Sequence, residues 1–187
     1  MDQHNIWICN RNRKKEMIDS SIIQELSERH GTYNFNALIE YMENSGYLYQ
    51  DRSLRGPLAI ATLNGVLLDM SMIKRYGNKL VYFIILHETA HMKRIDRMGK
   101  DGMLRNLSIE DFKEFCNHIF EEEIFADRYA CMLFYHFNKQ IYYWSETQQL
   151  NLESRQREYE PMARMYYGKI QNDEDKYNEM IENFIVK

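Results

Sequence analysis

The chain has 187 residues, a formal net charge of −4 and 28% charged side chains. This length suits one domain with one core, so we predict a single domain over residues 1–187. The slightly acidic balance and the absence of a dominant basic run give no support to a nucleic-acid partner, and we expect none. No apolar run approaches the roughly 20 residues that a membrane-spanning helix needs, so we also expect no membrane association.

The three cysteines, Cys9, Cys116 and Cys131, are odd in number and widely spaced. Neither a disulfide framework nor a CxxC metal site fits this spacing, and free thiols in a reducing compartment are the simplest explanation. The N-terminal residues lack the basic and apolar regions of a signal peptide. We therefore predict a soluble, cytoplasmic protein, and the sequence does not predict its oligomeric state.

Two helices are predicted in the N-terminal segment, residues 13–45. Apolar residues at helical spacing indicate the first from about Arg13 to His30, and Gly31 is a natural C-terminal stop. The second is short, extends from about Phe35 to Asn44 and ends at Ser45-Gly46. Both are expected to flank the core of the domain rather than to form part of it.

A β-hairpin is predicted within Leu58–Asp69. Asn64-Gly65 separates two apolar runs there, and this dipeptide is typical of a type I′ turn, which requires positive φ at two residues. Tyr47–Tyr49 is a candidate for a third strand. We expect these strands to form a small antiparallel sheet.

Helical spacing of apolar residues returns from about Asn78 to Arg94. The next segment, Asp96–Asn106, is polar and contains glycine, so it is predicted to be a loop. Ser108 followed by Asp111 resembles a capping box, and we expect it to open a long helix that reaches about Phe137.

The C-terminal segment, residues 141–187, is predicted to contain two further helices, broken near Gly168 and Asn172-Asp173. The core of the domain would then occupy about residues 47–138. The predicted fold class is α+β, with helices packed around a small antiparallel sheet.

Residues with metal-binding chemistry occur together in His87-Glu88-Thr89-Ala90-His91, within the predicted helix Asn78–Arg94. Side chains four residues apart lie on one helix face, so His87 and His91 can bind a single metal ion. Glu88 would then stand beside the metal as the base that takes a proton from water. This pattern predicts a zinc site with Glu88 as its catalytic residue.

A catalytic zinc ion needs a third protein ligand, for which we predict Glu123. On a helical wheel Glu123 lies on the apolar stripe of its helix, where a carboxylate is costly unless it meets a cation. Two alternatives for this ligand are Glu122, if the helix were rotated, and His118.

Asp127 follows Glu123 by one helical turn. We expect its carboxylate to hold the free ring nitrogen of one of the ligand histidines, as commonly happens in zinc sites. The alternative is an ordinary surface ion pair with Arg128 or Arg94.

His87-Glu88-x-x-His91 with Glu123-x-x-Ala126-Asp127 resembles the gluzincin metallopeptidases. It is similar to the ImmA/IrrE-type metallopeptidases and to the catalytic core of the HtpX/CAAX-endopeptidase group, over roughly Ala59 to Phe137. The membrane helices of the second group are not apparent, nor is a helix-turn-helix partner domain. The resemblance implies a zincin-like fold, a Zn²⁺ cofactor, and hydrolysis of peptide bonds in a cytoplasmic protein or peptide substrate.

The mechanism that the resemblance implies is metal-assisted amide hydrolysis, in which zinc acidifies water and Glu88 passes the proton to the leaving amine. A hydrogen-bond donor to the developing oxyanion is also expected. Its candidates are Tyr129, His136, Tyr142 and Tyr143, and the sequence does not choose among them.

The alternative function is a zinc-binding regulatory or protein-interaction module with the same fold and little generic proteolysis. Intact Glu88 favours the enzyme, because a binding module needs no base.

Overall fold

The computed structural model describes residues 33–142 and 152–186, which contain seven α-helices and one three-stranded sheet. The α+β class is therefore confirmed, whereas the predicted helix Arg13–His30 lies outside the described residues. The helices are α1 (Phe35–Ser45), α2 (Met70–Ile73), α3 (Asn78–Met98), α4 (Lys100–Asn106), α5 (Phe112–Asn138), α6 (Leu152–Tyr166) and α7 (Glu174–Glu182). The strands are β1 (Leu48–Asp51), β2 (Ala59–Thr62) and β3 (Gly65–Leu68), and a 3₁₀ helix (Lys74–Tyr76) joins α2 to α3.

The sheet is mixed, so the prediction of an antiparallel sheet was wrong. Its strand order is β1-β3-β2, with β2 antiparallel and β1 parallel to β3. The reason is the connection from β1 to β2, which crosses the end of β3 to the opposite edge, so that β1 and β3 run in the same direction. Asp69 holds this crossover: its carboxylate accepts a hydrogen bond from the Leu54 N–H, and its own N–H donates to the Leu58 carbonyl.

The β2–β3 hairpin is present, but its turn differs from the predicted type I′ turn. Leu63 and Asn64 form the two-residue connection, and neither has a positive φ. Gly65 is needed for a different reason, since a Cβ atom there would lie 2.3 Å from the carbonyl oxygen of Leu48. The glycine therefore permits the close approach of β1 to β3.

Helix α3 continues beyond its predicted end, and the segment predicted as a loop, Asp96–Asn106, is largely helical. The first residues of this segment, up to Met98, form the end of α3, and Gly99, with φ 75°, separates α3 from α4. Leu104 on α4 is buried. Contact of this side chain with the core stabilises a short helix that the polar sequence alone did not indicate.

Helix α5 begins one residue after Asp111, whose carboxylate accepts a hydrogen bond from the Glu114 N–H at 2.8 Å. The N-cap is therefore Asp111, whereas the hydroxyl of Ser108 donates to the Leu104 carbonyl on α4. In the C-terminal segment, α6 ends at Tyr166 and α7 begins at Glu174, which confirms a break between two helices there.

Two clusters of buried side chains hold these elements together. The larger lies between the sheet and helices α1, α3, α5 and α7, and includes Leu38, Val66, Ile85 and Phe134. The smaller joins α5 to α6 through Phe115, Ile119 and Ala163. It places α6 along one side of the α3–α5 pair, where the site described below opens. None of the helices in the described part of the chain has the length and apolar character needed to cross a bilayer.

Candidate metal centre

Helices α3 and α5 bring three of the predicted site residues together. The Nε2 atoms of His87 and His91 are 3.1 Å apart, and the carboxylate oxygens of Glu123 lie 3.3 Å and 3.4 Å from them. A tetrahedral zinc ion with ligand distances of about 2.0–2.1 Å has ligand atoms about 3.3–3.4 Å apart. The two ring nitrogens and the Glu123 carboxylate therefore have the mutual spacing of ligands that share one ion.

Within residues 33–142 and 152–186, His87, His91 and Glu123 are the group of potential ligands that converges closely enough to hold a metal ion. All three are partly buried. Glu123 reaches the histidines from the facing helix, so formation of the group depends on how α5 packs against α3.

The pKa shifts in this group show that it favours positive charge. Burial by itself lowers the pKa of His87, but hydrogen bonding to Asp127 and Glu123 outweighs it and raises the pKa above the ordinary value. Burial raises the pKa of Glu123, but the charges and hydrogen bonds of His91 and His87 outweigh it and hold the pKa well below the ordinary range. A dication placed among these atoms would supply the same stabilising charge and displace the proton.

Asp127 lies behind His87, as predicted from the helical turn. Its Oδ1 atom is 3.0 Å from Nδ1 of His87, and its side chain is buried. When Nδ1–H donates to this carboxylate, Nε2 of the neutral ring keeps a lone pair directed towards Glu123. Arg94, one of the two partners considered for an alternative ion pair, is bonded to Glu122.

The two alternative third ligands have other positions. Glu122 accepts hydrogen bonds from both Nε and Nη2 of Arg94, with the Nε distance at 3.0 Å, and the guanidinium also lies 4.9 Å from the centre of the Phe125 ring. His118 does not belong to the converging group, although it lines the cleft that opens beside these three side chains. Burial lowers the pKa of His118, which favours a neutral imidazole.

Glu88 lies beside the group, at the wall of the same cleft. Burial is the main cause of its raised pKa, which the neighbouring His87 and His91 partly offset. The backbone N–H of Ala61 on β2 donates a hydrogen bond to its carboxylate. The sheet edge therefore restrains the orientation of Glu88.

A cleft of about 560 Å³ opens at the three converging side chains. Besides α3 and α5, it is lined by residues of β2, of the loop that precedes β2, and of α4, α6 and α7. Its volume falls in the range of roughly 300–1,000 Å³ that is common for ligand sites. A substrate group placed there would reach both the candidate metal position and Glu88.

The sequence interpretation missed Tyr166, which lies at the end of α6 and lines this cleft. Burial and, after it, the nearby carboxylates of Glu88 and Glu123 raise the pKa of Tyr166 to about 12, so the phenol keeps its proton. Among the described residues its hydroxyl has no hydrogen-bond partner. No signal in the sequence distinguished this tyrosine from the 13 others.

Of the four oxyanion donors that the sequence suggested, the three that lie among the described residues do not line this cleft. The hydroxyl of Tyr129 lies 3.1 Å from that of Tyr41, on the side of the α3–α5 pair next to α1. Tyr142 stacks on Phe83 with ring centres 4.2 Å apart. The remaining two are His136, which is exposed, and Tyr143, which lies outside the described residues.

Comparison with known proteins gives no relative for this chain: no family model, curated protein or solved structure matches it. The resemblance to gluzincins thus stays a prediction that depends on His87, Glu88, His91 and Glu123. The geometry of these four side chains is the basis of the proposal that follows.

Proposed function

We propose that the protein is a zinc-dependent metallopeptidase of the gluzincin type with a zincin-like fold. The observation that carries this proposal is the convergence of His87, His91 and Glu123 at ligand spacings of 3.1 to 3.4 Å. Two imidazoles and one carboxylate form a donor set of catalytic zinc sites, which keep one position for water. Magnesium and calcium are less suitable, since they prefer oxygen ligands.

Zinc, when bound, supplies a Lewis acid that lowers the pKa of a water molecule and polarises a substrate carbonyl. The carboxylate of Glu88 is placed to take the proton from that water and to return it to the leaving amine. The hydrogen bond from the Ala61 N–H orients this carboxylate. Asp127 holds His87 in the tautomer that binds metal through Nε2.

Tyr166 is the donor that we assign to the oxyanion. Tyr166 lines the cleft, and burial together with the nearby carboxylates of Glu88 and Glu123 raises its pKa to about 12, so the phenol is fully protonated at neutral pH. A phenol without a partner among the described residues can donate to a substrate oxygen without first breaking a protein hydrogen bond, which is the property of a preorganised donor. The proposed substrate is a protein or peptide, and the proposed location is the cytoplasm.

The test combines metal analysis with peptide cleavage for the wild type, a Glu88→Gln variant and a Glu121→Gln control, whose residue is exposed on α5. We expect one zinc per chain in all three, and cleavage of casein or peptides in the wild type and control alone. Absence of zinc from protein purified without chelator would contradict the proposal. Stoichiometric zinc without cleavage of any tested substrate would instead support a zinc-binding regulatory or protein-interaction module.

A further inference from the structure

Part of the cleft lining is apolar and rich in methionine. It belongs to the same cleft as His87, Glu88 and Glu123 and comes mainly from helices that flank the α3–α5 pair. We name it the methionine wall and define it by four residues from the end of α3, α4 and α6: Met98, Met103, Met162 and Met165. Ile119 and Leu107 complete its apolar surface.

The methionines of this wall are not enclosed in the core. Met165 keeps 43% of its surface exposed, and the other three are partly exposed. Apolar surface beside a polar site gains free energy when a ligand covers it. Methionine is unbranched and has a polarizable sulfur, so it adapts to apolar side chains of different shapes.

The same cleft is also lined by an edge strand, β2. The hydrogen bond from the Asp69 N–H to the Leu58 carbonyl continues the β2–β3 ladder, so alternate residues of β2 direct their backbone groups away from β3. Two such residues are Ala59 and Ala61. The N–H of Ala61 donates a hydrogen bond to Glu88, and its carbonyl accepts one from the hydroxyl of Tyr177 at 3.4 Å. Ala59 lines the cleft, and within the described part of the chain its N–H and carbonyl have no hydrogen-bond partner, so that an extended chain could pair with them.

We propose that the methionine wall selects substrates by binding one large apolar side chain next to the bond to be cleaved. The substrate class is then an extended polypeptide segment that carries Met, Leu or Phe at that position. A small or charged residue there is disfavoured, because it leaves the wall uncovered or loses its hydration without a partner. The position of the apolar residue beside a cleaved bond rests on the proposed function, whereas the preference in binding does not.

The preference can be measured without catalysis. Fluorescein-labelled peptides would be composed of Ala, Gly and Ser except at one central position, which is Met, Leu, Phe, Ala or Asp. Each peptide would be titrated with the zinc-loaded Glu88→Gln chain, and binding would be followed by fluorescence anisotropy. From the usual gain on burying a large apolar side chain, we expect the Met, Leu and Phe peptides to bind about 10- to 100-fold more tightly than the Ala peptide.

Variants locate the preference in the wall. Met165→Ser changes a largely exposed residue and is expected to retain the fold, and a Met162→Ser/Met165→Ser double variant removes more of the surface. Both should reduce the preference while zinc content stays unchanged. Met132→Ser is the matched control, since Met132 is 56% exposed on α5 and does not line the cleft.

The outcomes separate the two proposals. Uniform binding of all peptides, undetectable binding, or a preference that survives the Met165→Ser and double variants would overturn the role of the methionine wall. A clear apolar preference in a chain that binds zinc but cleaves nothing would contradict the peptidase proposal and support the wall. Cleavage without any side-chain preference would do the reverse.

Discussion

The Nδ1 atom of His87 lies 3.0 Å from the Oδ1 atom of Asp127, across the interface between α3 and α5. The same interface brings Glu123 to the Nε2 side of the ring. One imidazole is thus held at both nitrogens by carboxylates from the facing helix. This arrangement makes the packing of two helices a condition for the candidate metal site.

Replacement of Asp127 by alanine should weaken zinc binding about 10- to 100-fold, as commonly observed when the residue behind a ligand histidine is removed. The physical reason is that His87 loses the acceptor that fixes its tautomer and ring orientation. Competition with a chromophoric chelator would measure the change. Glu121→Ala is the matched control, because Glu121 is exposed on the same helix. Equal affinities in all three proteins would contradict the role of Asp127.

Tyr166→Phe should lower kcat about 10²- to 10³-fold, the range observed when an oxyanion donor is removed. Zinc affinity and KM should change little, because the hydroxyl is proposed to act in the transition state. The adjacent Tyr167→Phe variant is the control, since the Tyr167 hydroxyl donates to the Glu110 carbonyl, away from the cleft. An unchanged kcat for Tyr166→Phe would assign the donor to another group.

Asp69→Asn should destabilise the fold by about 1–3 kcal/mol at pH 7, as expected for the loss of hydrogen bonds to a charged group. Burial alone would raise the pKa of Asp69, but hydrogen bonds from Leu54, Ser71 and Met72 outweigh it and lower the pKa. A carboxyl with a lowered pKa in the folded state stabilises above its unfolded pKa of about 3.9, and this contribution is lost as the pH falls through the folded value.

The free energy of unfolding of wild type and Asp69→Asn should therefore converge below about pH 4. Urea denaturation at several pH values would measure the difference. Glu43→Gln, at an exposed position of α1, is expected to show no comparable pH-dependent difference. A difference between wild type and Asp69→Asn that is the same at pH 7 and in acid would show that the charge of Asp69 is not the cause.

Gly65→Ala should destabilise the chain by about 1–3 kcal/mol or more, the usual cost of overpacking. The added Cβ atom would lie 2.3 Å from the carbonyl oxygen of Leu48, so β1 must move away from β3. Gly46→Ala is the comparison, because Gly46 also has a positive φ, of 77°, but a Cβ there meets no atom within 4 Å. Equal losses for the two variants in thermal or urea unfolding would contradict the steric explanation.

Local features of the chain could be predicted from its residues. Apolar spacing indicated α1, α3 and α5, because a helix exposes one face and buries the other with a fixed period. The same periodicity placed His87 and His91 on one face and Glu123, rather than Glu122, on the apolar side of its helix. These are properties of a single helix, which neighbouring residues determine.

Relations between elements required the tertiary structure. Periodicity shows which face of an element is buried, but not which other element covers it. The parallel pairing of β1 with β3, the helical state of α4, and the position of Tyr166 near Glu88 depend on packing between segments distant in sequence. The residues of α3 thus determined where two ligands could lie, and only the packing of α5 against α3 decided that Glu123 joins them.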